Sequence, residues 1–187
     1  MEARVSLLKE EIVNRKGGKA PFLVAIEGGS ASGKSTLGAA LAKELEATLV
    51  HMDDFFLPKE LRTPERFAQP GGNVHWERVL AEVLEPLKAG RPLEYGAFNC
   101  SVMAVDRVCR ETPKAVVIVE GAYSLHPRLR DFYDLKVFVT VEETAQKQRI
   151  LARNGETMLQ RFLKEWIPLE QAYFEACGVK DCCDVIL

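Results

Sequence analysis

The sequence predicts an α/β fold in which five parallel strands form one sheet sandwiched between helices. The apolar segments are too continuous for the alternation of a half-exposed strand, which indicates that both faces are covered. They also alternate along the chain with segments of helical periodicity, the order typical of a parallel sheet. The five predicted strands are PFLVAIEG, ATLVHM, KAVVIVEG, DLKVFVTV and CCDVIL.

The predicted helices precede, separate and follow these strands. Val5, Leu8 and Ile12 recur at helical spacing, and the Gly17-Gly18 pair is suited to end that first helix. A second helix is expected from about Lys34 to Leu45. The later helical segments are WERVLAEVLEPLKAG, EETAQKQRILAR and ETMLQRFLKEWIPLEQAYFEACG. Pro168 is expected to kink or break the last of them.

Length and composition favour one domain spanning residues 1–187. The chain has 25 basic and 27 acidic residues, so no basic excess points to nucleic acid, and no basic amphipathic segment points to a membrane. Its five cysteines form no Cys-x-x-Cys pair, which favours reduced thiols in a cytoplasmic protein. We expect Cys182 and Cys183 to be buried strand residues. The sequence leaves open whether the chain forms homo-oligomers.

A glycine-rich turn follows the first predicted strand. Gly28, Gly33, Lys34 and Ser35 fit G-x-x-x-x-G-K-[ST], and a predicted helix starts at the turn's end. The glycines permit backbone angles that aim successive N–H groups at a phosphate, and the helix presents its positive end. Lys34 can reach the β- and γ-phosphates, and the Ser35 hydroxyl can ligate magnesium. We therefore predict a P-loop NTPase fold that binds a nucleoside triphosphate with Mg²⁺. The expected binding residues are Gly28, Gly29, Ser30, Ala31, Ser32, Gly33, Lys34, Ser35 and Thr36.

Two aspartates follow the second predicted strand, in the segment HMDDFFLP. Asp53 and Asp54 are expected at the carboxyl edge of the sheet, where open α/β sheets bind ligands. A carboxylate there can accept the proton of a hydroxyl group as that hydroxyl attacks a phosphate. The polar stretch from Asp53 to Asn73 is expected to be a long loop with a function.

Several motifs together resemble the uridine kinase-like P-loop kinases. They are GGSASGKST, HMDDFFLP, YGAF, VVIVEGAYSL and QKQRILARN, and the resemblance covers residues 22–187. That group includes uridine/cytidine kinase, nicotinamide riboside kinase, phosphoribulokinase and bacterial pantothenate kinase. The resemblance implies that the protein is an ATP-dependent kinase of a small molecule that carries a hydroxyl group.

The resemblance also implies roles for single residues. Asp53 matches the family's general base, and Glu120 matches its acidic residue near the magnesium ion. Arg149 and Arg153 stand four apart on one helix face and match the arginines of a lid that closes on ATP. The lid is expected over about residues 149–161, pivoting at Gly155, with both arginines loosely held in the free protein.

The segments that would bind the acceptor depart from the family's pattern. The family's Asn-x-Asp segment is NVHW here, so His75 stands at the acidic position, and YGAF keeps the family's tyrosine without its acidic neighbour. The candidate acceptor-binding residues are Asp54, Phe55, His75, Trp76, Glu77 and Tyr95, and loop arginines Arg62 and Arg66 are candidates for an anionic acceptor. The acceptor is therefore open among nucleosides, nicotinamide riboside, pantothenate and sugar phosphates, and a non-catalytic ATP-binding regulator is the alternative.

Overall fold

A computed structural model describes all 187 residues, and its central feature is a five-stranded parallel sheet. The strands of the whole chain are β1 (Phe22–Gly28), β2 (Thr48–His51), β3 (Leu93–Asn99), β4 (Ala104–Glu111), β5 (Val116–Glu120), β6 (Leu135–Val139) and β7 (Val185–Ile186). The sheet has the order β2-β5-β1-β6-β7, with β1 at its centre. The α/β prediction is confirmed, and all five predicted strands are present.

Helices cover both faces of this sheet. They are α1 (Glu2–Lys16), α2 (Lys34–Leu45), α3 (Pro64–Phe67), α4 (Trp76–Val79), α5 (Glu85–Lys88), α6 (Glu143–Arg161) and α7 (Ile167–Ala176). On one face α1 and α2 bury Leu8, Ile12, Leu37 and Leu41. The other face packs against α4, α5 and α7 through a larger cluster of 22 buried residues. Burial on both sides explains why β1 and β5 are apolar along their whole length.

The sequence analysis missed a two-stranded antiparallel hairpin formed by β3 and β4. Every residue of β4 except Cys109 is exposed, so this strand has no apolar period that could reveal it. Its position still matters for the site, because the turn between β3 and β4 carries Cys100 and Met103 to the mouth of the main cleft.

The predicted loop of residues 53–73 is built from short helical turns. They are Met52–Phe55, Lys59–Leu61 and α3. Arg66 holds this segment together by donating hydrogen bonds to the carbonyl oxygens of Gly72 and Val74. The loop therefore has a defined shape beside the carboxyl edge of the sheet.

Two helices contain a π segment two residues before a proline. Leu80–Leu84 joins α4 to α5 ahead of Pro86, and Phe162–Trp166 joins α6 to α7 ahead of Pro168. A proline lacks the N–H of the regular ladder and its ring crowds the preceding turn, and the wider π turn leaves room for it. Pro168 thus marks a π segment within a continuous helix. The sharp departure from helical geometry falls at Gly155, with φ 77° and ψ 172°.

The C-terminal cysteines differ from the prediction. Cys182 and Cys183 lie half-buried in the turn before β7, and both thiols donate to the carbonyl oxygen of Val179. Because β7 begins only at Val185, Cys182 and Cys183 precede the strand and are not strand residues. No cluster of three or more histidine, cysteine or acidic side chains is arranged to hold a metal ion. None of the helices combines the length and apolar character needed to cross a membrane.

Candidate active site

The predicted phosphate-binding turn joins the end of β1 to the start of α2. A side chain at Gly28 would place its Cβ 2.5 Å from the Val139 carbonyl oxygen, and Gly33 takes the left-handed conformation with φ 96°. Both positions therefore need glycine. Lys34 Nζ lies 3.3 Å from the carbonyl oxygen of Gly29, so the ammonium group folds back over the turn. The turn, the lysine and the positive end of α2 together form an anion-binding cradle.

Side chains from α6 and α7 brace this turn. Glu170 accepts hydrogen bonds from the backbone N–H of Ser30 at 2.9 Å and from its hydroxyl at 2.5 Å. Gln146 donates to the Ser30 carbonyl oxygen at 2.7 Å. Arg149 donates to the carbonyl oxygen of Ala31 at 3.1 Å. The sequence analysis missed Glu170 and Gln146, although Gln146 stands on the same helix face as Arg149.

Glu120 ends β5 beside the turn and is almost fully buried. The Ser35 hydroxyl donates to one of its carboxylate oxygens at 3.0 Å, and His51 Nδ1 lies 2.5 Å from the other. The hydrogen bond to Glu120 raises the pKa of His51. A serine hydroxyl and a carboxylate are hard oxygen donors of the kind magnesium prefers, so this pair fits the predicted ion.

Asp53 lies in the helical turn directly after β2 and lines the main cleft. Solvent reaches its side chain through the cleft, while the surrounding protein desolvates the carboxylate and so raises its pKa, with Lys34 opposing the shift. Asp54 points elsewhere and lies 3.9 Å from Arg107 at the hairpin. Of the two aspartates, Asp53 has the position expected of a base that meets a hydroxyl near the phosphates.

The main cleft has a volume of about 1340 Å³ and runs from the phosphate-binding turn to the hairpin. Pockets for drug-sized ligands typically span about 300–1,000 Å³, so this cleft has room for a nucleotide and a second small molecule. Arg153 and Arg161 line it from α6, as Arg149 does. Its other walls include Phe56, Arg62, Asn73, Tyr123, Phe162 and Trp166.

The predicted lid arginines are held differently from each other. Arg149 is anchored on the phosphate-binding turn, which corrects the expectation that it is loose in the free protein. The carbonyl oxygens of that turn offer it fixed acceptors even without a nucleotide. Arg153 contacts only the side chain of its neighbour Asn154 and is exposed.

None of the six candidate acceptor-binding residues lines the main cleft. Phe55 and Tyr95 are core residues whose rings pack 5.3 Å apart. Trp76 stacks on His126. Glu77 is bound by both terminal nitrogens of Arg66, at 2.6 Å and 2.8 Å. His75 Nδ1 lies 3.2 Å from Glu77, and burial lowers the pKa of this histidine. Asp54 is paired with Arg107, as described above.

Tyr123 is a cleft residue that the sequence did not indicate. It has φ 73°, a strained value for a tyrosine, and its buried hydroxyl makes no hydrogen bond. Its backbone N–H donates to Glu27, the fully buried carboxylate at the end of β1. Glu27 also accepts from Gly28, Leu125 and the Tyr173 hydroxyl. Burial raises the pKa of Glu27 to about 7.

Comparisons with known proteins agree with the fold. No protein-family model matches the chain. The chain is 27% identical over 176 residues to the uridine kinase of Latilactobacillus sakei, covering 84% of this chain and 81% of that protein. It is 26% identical to uridine kinase-like protein 5 of Arabidopsis thaliana over 84% of its own length, and spans 37% of that longer protein. A solved structure described as a possible uridine kinase from Bacillus stearothermophilus superposes with a TM-score of 0.78, at 20% identity and with 100% and 98% of the two chains covered.

The sheet and the phosphate-binding turn define a P-loop kinase fold. Within that class the chain is similar in sequence to curated uridine kinases, at about 26% identity over most of its length.

Proposed function

We propose that the protein is a uridine kinase-like phosphotransferase, which moves the γ-phosphate of ATP to a hydroxyl group of a small molecule. The observation that carries the proposal is that Lys34 and Ser35 of the phosphate-binding turn line the same cleft as Asp53, and that Ser35 donates to the buried Glu120 beside that cleft. The sequence relatives named uridine kinase support the same reaction class.

The nucleotide occupies the turn from Gly28 to Thr36. The backbone N–H groups and Lys34 bind the β- and γ-phosphates, as the geometry of such turns requires. Ser35 and Glu120 would hold a magnesium ion, which would neutralise part of the phosphate charge. Glu170 keeps the turn in shape through its two hydrogen bonds to Ser30.

Asp53 orients the acceptor hydroxyl and takes its proton. Desolvation by the surrounding protein raises the pKa of Asp53, which makes the carboxylate a stronger base than a fully hydrated aspartate. Arg149 and Arg153 supply positive charge from α6, where charge on the transferring phosphoryl group needs stabilisation. Residues 149–161 act as the lid, with the non-helical Gly155 as its pivot.

The acceptor is a small molecule of the kind the uridine kinase-like group uses: a nucleoside, nicotinamide riboside, pantothenate or a sugar phosphate. All five cysteines are free, which suits work in the reducing cytoplasm. A regulator that binds ATP without turnover is the second candidate, because the segments expected to bind the acceptor are altered here.

A screen of ADP release with magnesium and ATP across these acceptors tests the proposal. Lys34→Ala is expected to abolish release and to weaken ATP binding measured by calorimetry, and the exposed Lys43→Ala variant is the matched control. If Lys34→Ala leaves both affinity and turnover unchanged, the nucleotide site is elsewhere. If ATP binds and no acceptor is phosphorylated, the regulator is favoured.

A further inference from the structure

The inference rests on the proposed function and concerns Arg62, which lines the main cleft. Its Nε donates to the Leu57 carbonyl oxygen at 2.8 Å, and its guanidinium carbon lies 6.0 Å from the Phe98 ring centroid. These contacts orient the guanidinium group, and neither of its terminal nitrogens has a carboxylate within 4.0 Å. The other arginines of this region are paired: Arg66 with Glu77, Arg78 with Glu82, Arg107 with Asp54, and Arg110 with Glu94.

Arg62 and the proposed base Asp53 both line the main cleft. Both also act on the Cys100 thiol in the hairpin turn: burial raises its pKa most, the charge of Asp53 raises it further, and the charge of Arg62 lowers it. A ligand that spans the cleft between these two side chains would meet a carboxylate at one end and a guanidinium at the other.

The acidic side chains that could bind neutral hydroxyl groups are already occupied. Both oxygens of Glu170 accept from Ser30, and Glu165 pairs with Arg161. Glu77 is bound by Arg66 and does not line the cleft. Asp53 alone is left with a carboxylate facing the cleft and no cationic partner within ion-pair distance. A neutral polyol would thus find Asp53 as the one unpaired carboxylate to accept from its hydroxyl groups.

A neutral ligand would also cover the guanidinium of Arg62 without pairing it. Removing an unpaired cation from water is costly, whereas a carboxylate or phosphate would form charge-assisted hydrogen bonds with its planar fork. Leaving a charge unpaired is one way in which a site rejects the wrong ligand.

We propose that the acceptor is an anionic hydroxyl compound, whose carboxylate or phosphate group binds Arg62 while its hydroxyl meets Asp53. In the reaction the hydroxyl oxygen bonds to the γ-phosphorus of ATP, the bond from that phosphorus to the β,γ-bridging oxygen breaks, and the proton passes to Asp53. ADP leaves with the bridging oxygen, and the product is a phosphate ester that keeps its original negative group.

The test measures ADP release for acceptor pairs that differ only in the negative group. The pairs are D-glycerate with glycerol, pantothenate with pantothenol, and ribose 5-phosphate with ribose, and uridine is included as a neutral nucleoside. We expect at least one charged member to exceed its neutral partner at least tenfold in kcat/KM. The pair that responds shows whether Arg62 binds a carboxylate or a phosphate.

Variants then assign the preference to Arg62. Arg62→Ala is expected to raise the KM for the charged acceptor at least tenfold while the KM for ATP stays the same. Arg62→Lys keeps the charge without the fork and should lose less. Arg110→Ala removes an arginine from an exposed ion pair outside the cleft and should change nothing.

Two results overturn the proposal. One is turnover of uridine or another neutral member that Arg62→Ala leaves unchanged, which would leave the kinase assignment intact. The other is the absence of any preference for a charged member while ATP still binds. If the unaltered protein does not bind ATP, the proposed function itself is overturned. Arg62→Ala is checked for ATP binding, since it also removes the bond to Leu57.

Discussion

Glu170 and Ser30 are 140 residues apart in sequence, yet the Glu170 carboxylate accepts hydrogen bonds from both the backbone N–H and the hydroxyl of Ser30. The shape of the phosphate-binding turn therefore depends on α7, the helix that follows the proposed lid. Burial raises the pKa of Glu170, and the two hydrogen bonds from Ser30 oppose that shift. We therefore expect the position of α7 to affect ATP binding at the proposed site.

Glu170→Ala is expected to raise the KM for ATP about tenfold, because the turn loses both hydrogen bonds and the serine amide is left unpaired. Glu170→Gln should recover most of that loss, since an amide can accept from the N–H and donate to the hydroxyl. Steady-state kinetics with varied ATP measure the effect, and the exposed Glu175→Ala variant on the same helix is the control. Equal KM values for Glu170→Ala and Glu175→Ala would show that the turn holds its shape without this contact.

Asp53→Asn is expected to lower turnover at least tenfold and to change ATP affinity little, since a general base acts on the acceptor. Asp54→Asn, outside the cleft, should have a smaller effect. Because the pKa of Asp53 is raised, kcat/KM should fall on acidification already above the ordinary aspartate range near 3.8. The protonated form cannot accept the hydroxyl proton, so the loss occurs on the acid side, and Asp53→Asn should remove that limb of the profile. If Asp54→Asn proves to be the more damaging variant, the general base is Asp54 and not Asp53.

Replacing Arg149 and Arg153 together with alanine should reduce turnover far more than ATP binding, because their charge matters most in the transition state. Hydrogen exchange over residues 149–161 should slow when a nonhydrolysable ATP analogue and an acceptor are both bound. Since Arg149 already contacts the phosphate-binding turn, the largest change is expected around Arg153 and Gly155. The Lys147→Ala variant, altered on the same helix outside the cleft, is the control. Unchanged exchange together with full activity of the double variant would leave residues 149–161 without a lid function.

Tyr173→Phe is expected to lower the free energy of unfolding by about 1–3 kcal/mol, since its hydroxyl donates to the buried carboxylate of Glu27. Tyr133→Phe is a matched comparison, because the Tyr133 hydroxyl is equally buried and makes no hydrogen bond. Removing it should be neutral or slightly stabilising. Urea unfolding at pH 8 measures both, and equal losses would show that the hydrogen bond to Glu27 contributes nothing beyond the presence of a buried hydroxyl.

The sequence predicted the central sheet and the phosphate-binding turn because both rest on local patterns. Continuous apolar strands and a glycine-lysine spacing need no knowledge of distant partners. The sequence did not predict the hairpin, because β4 is exposed nearly throughout and lacks the alternation of apolar and polar residues typical of a half-buried strand. The contribution of Gln146 and Glu170 to the site was not predicted either, because it depends on contacts with a turn more than 110 residues away in the sequence.

The acceptor site was harder to predict than the nucleotide site. Family resemblance identified positions in the chain but not the direction of their side chains. Tyr95 and Phe55 fall in the core, and Glu77 is bound by Arg66. The sequence indicates Arg62 and Arg66 alike as loop candidates. The structure separates them, because Arg66 pairs with Glu77 whereas Arg62 has no carboxylate partner.

The π segment at Phe162–Trp166 has a consequence for how this chain can change length. A π segment amounts to an α-helix with one added residue, and one residue turns a helix by about 100°. Because the wider π turn absorbs the added residue, deleting a single residue there should leave a regular α-helix with Glu170 still turned toward Ser30. A further insertion, or a second deletion, between Arg161 and Pro168 should instead turn α7 relative to the arginines of α6 and so disconnect the two halves of the site.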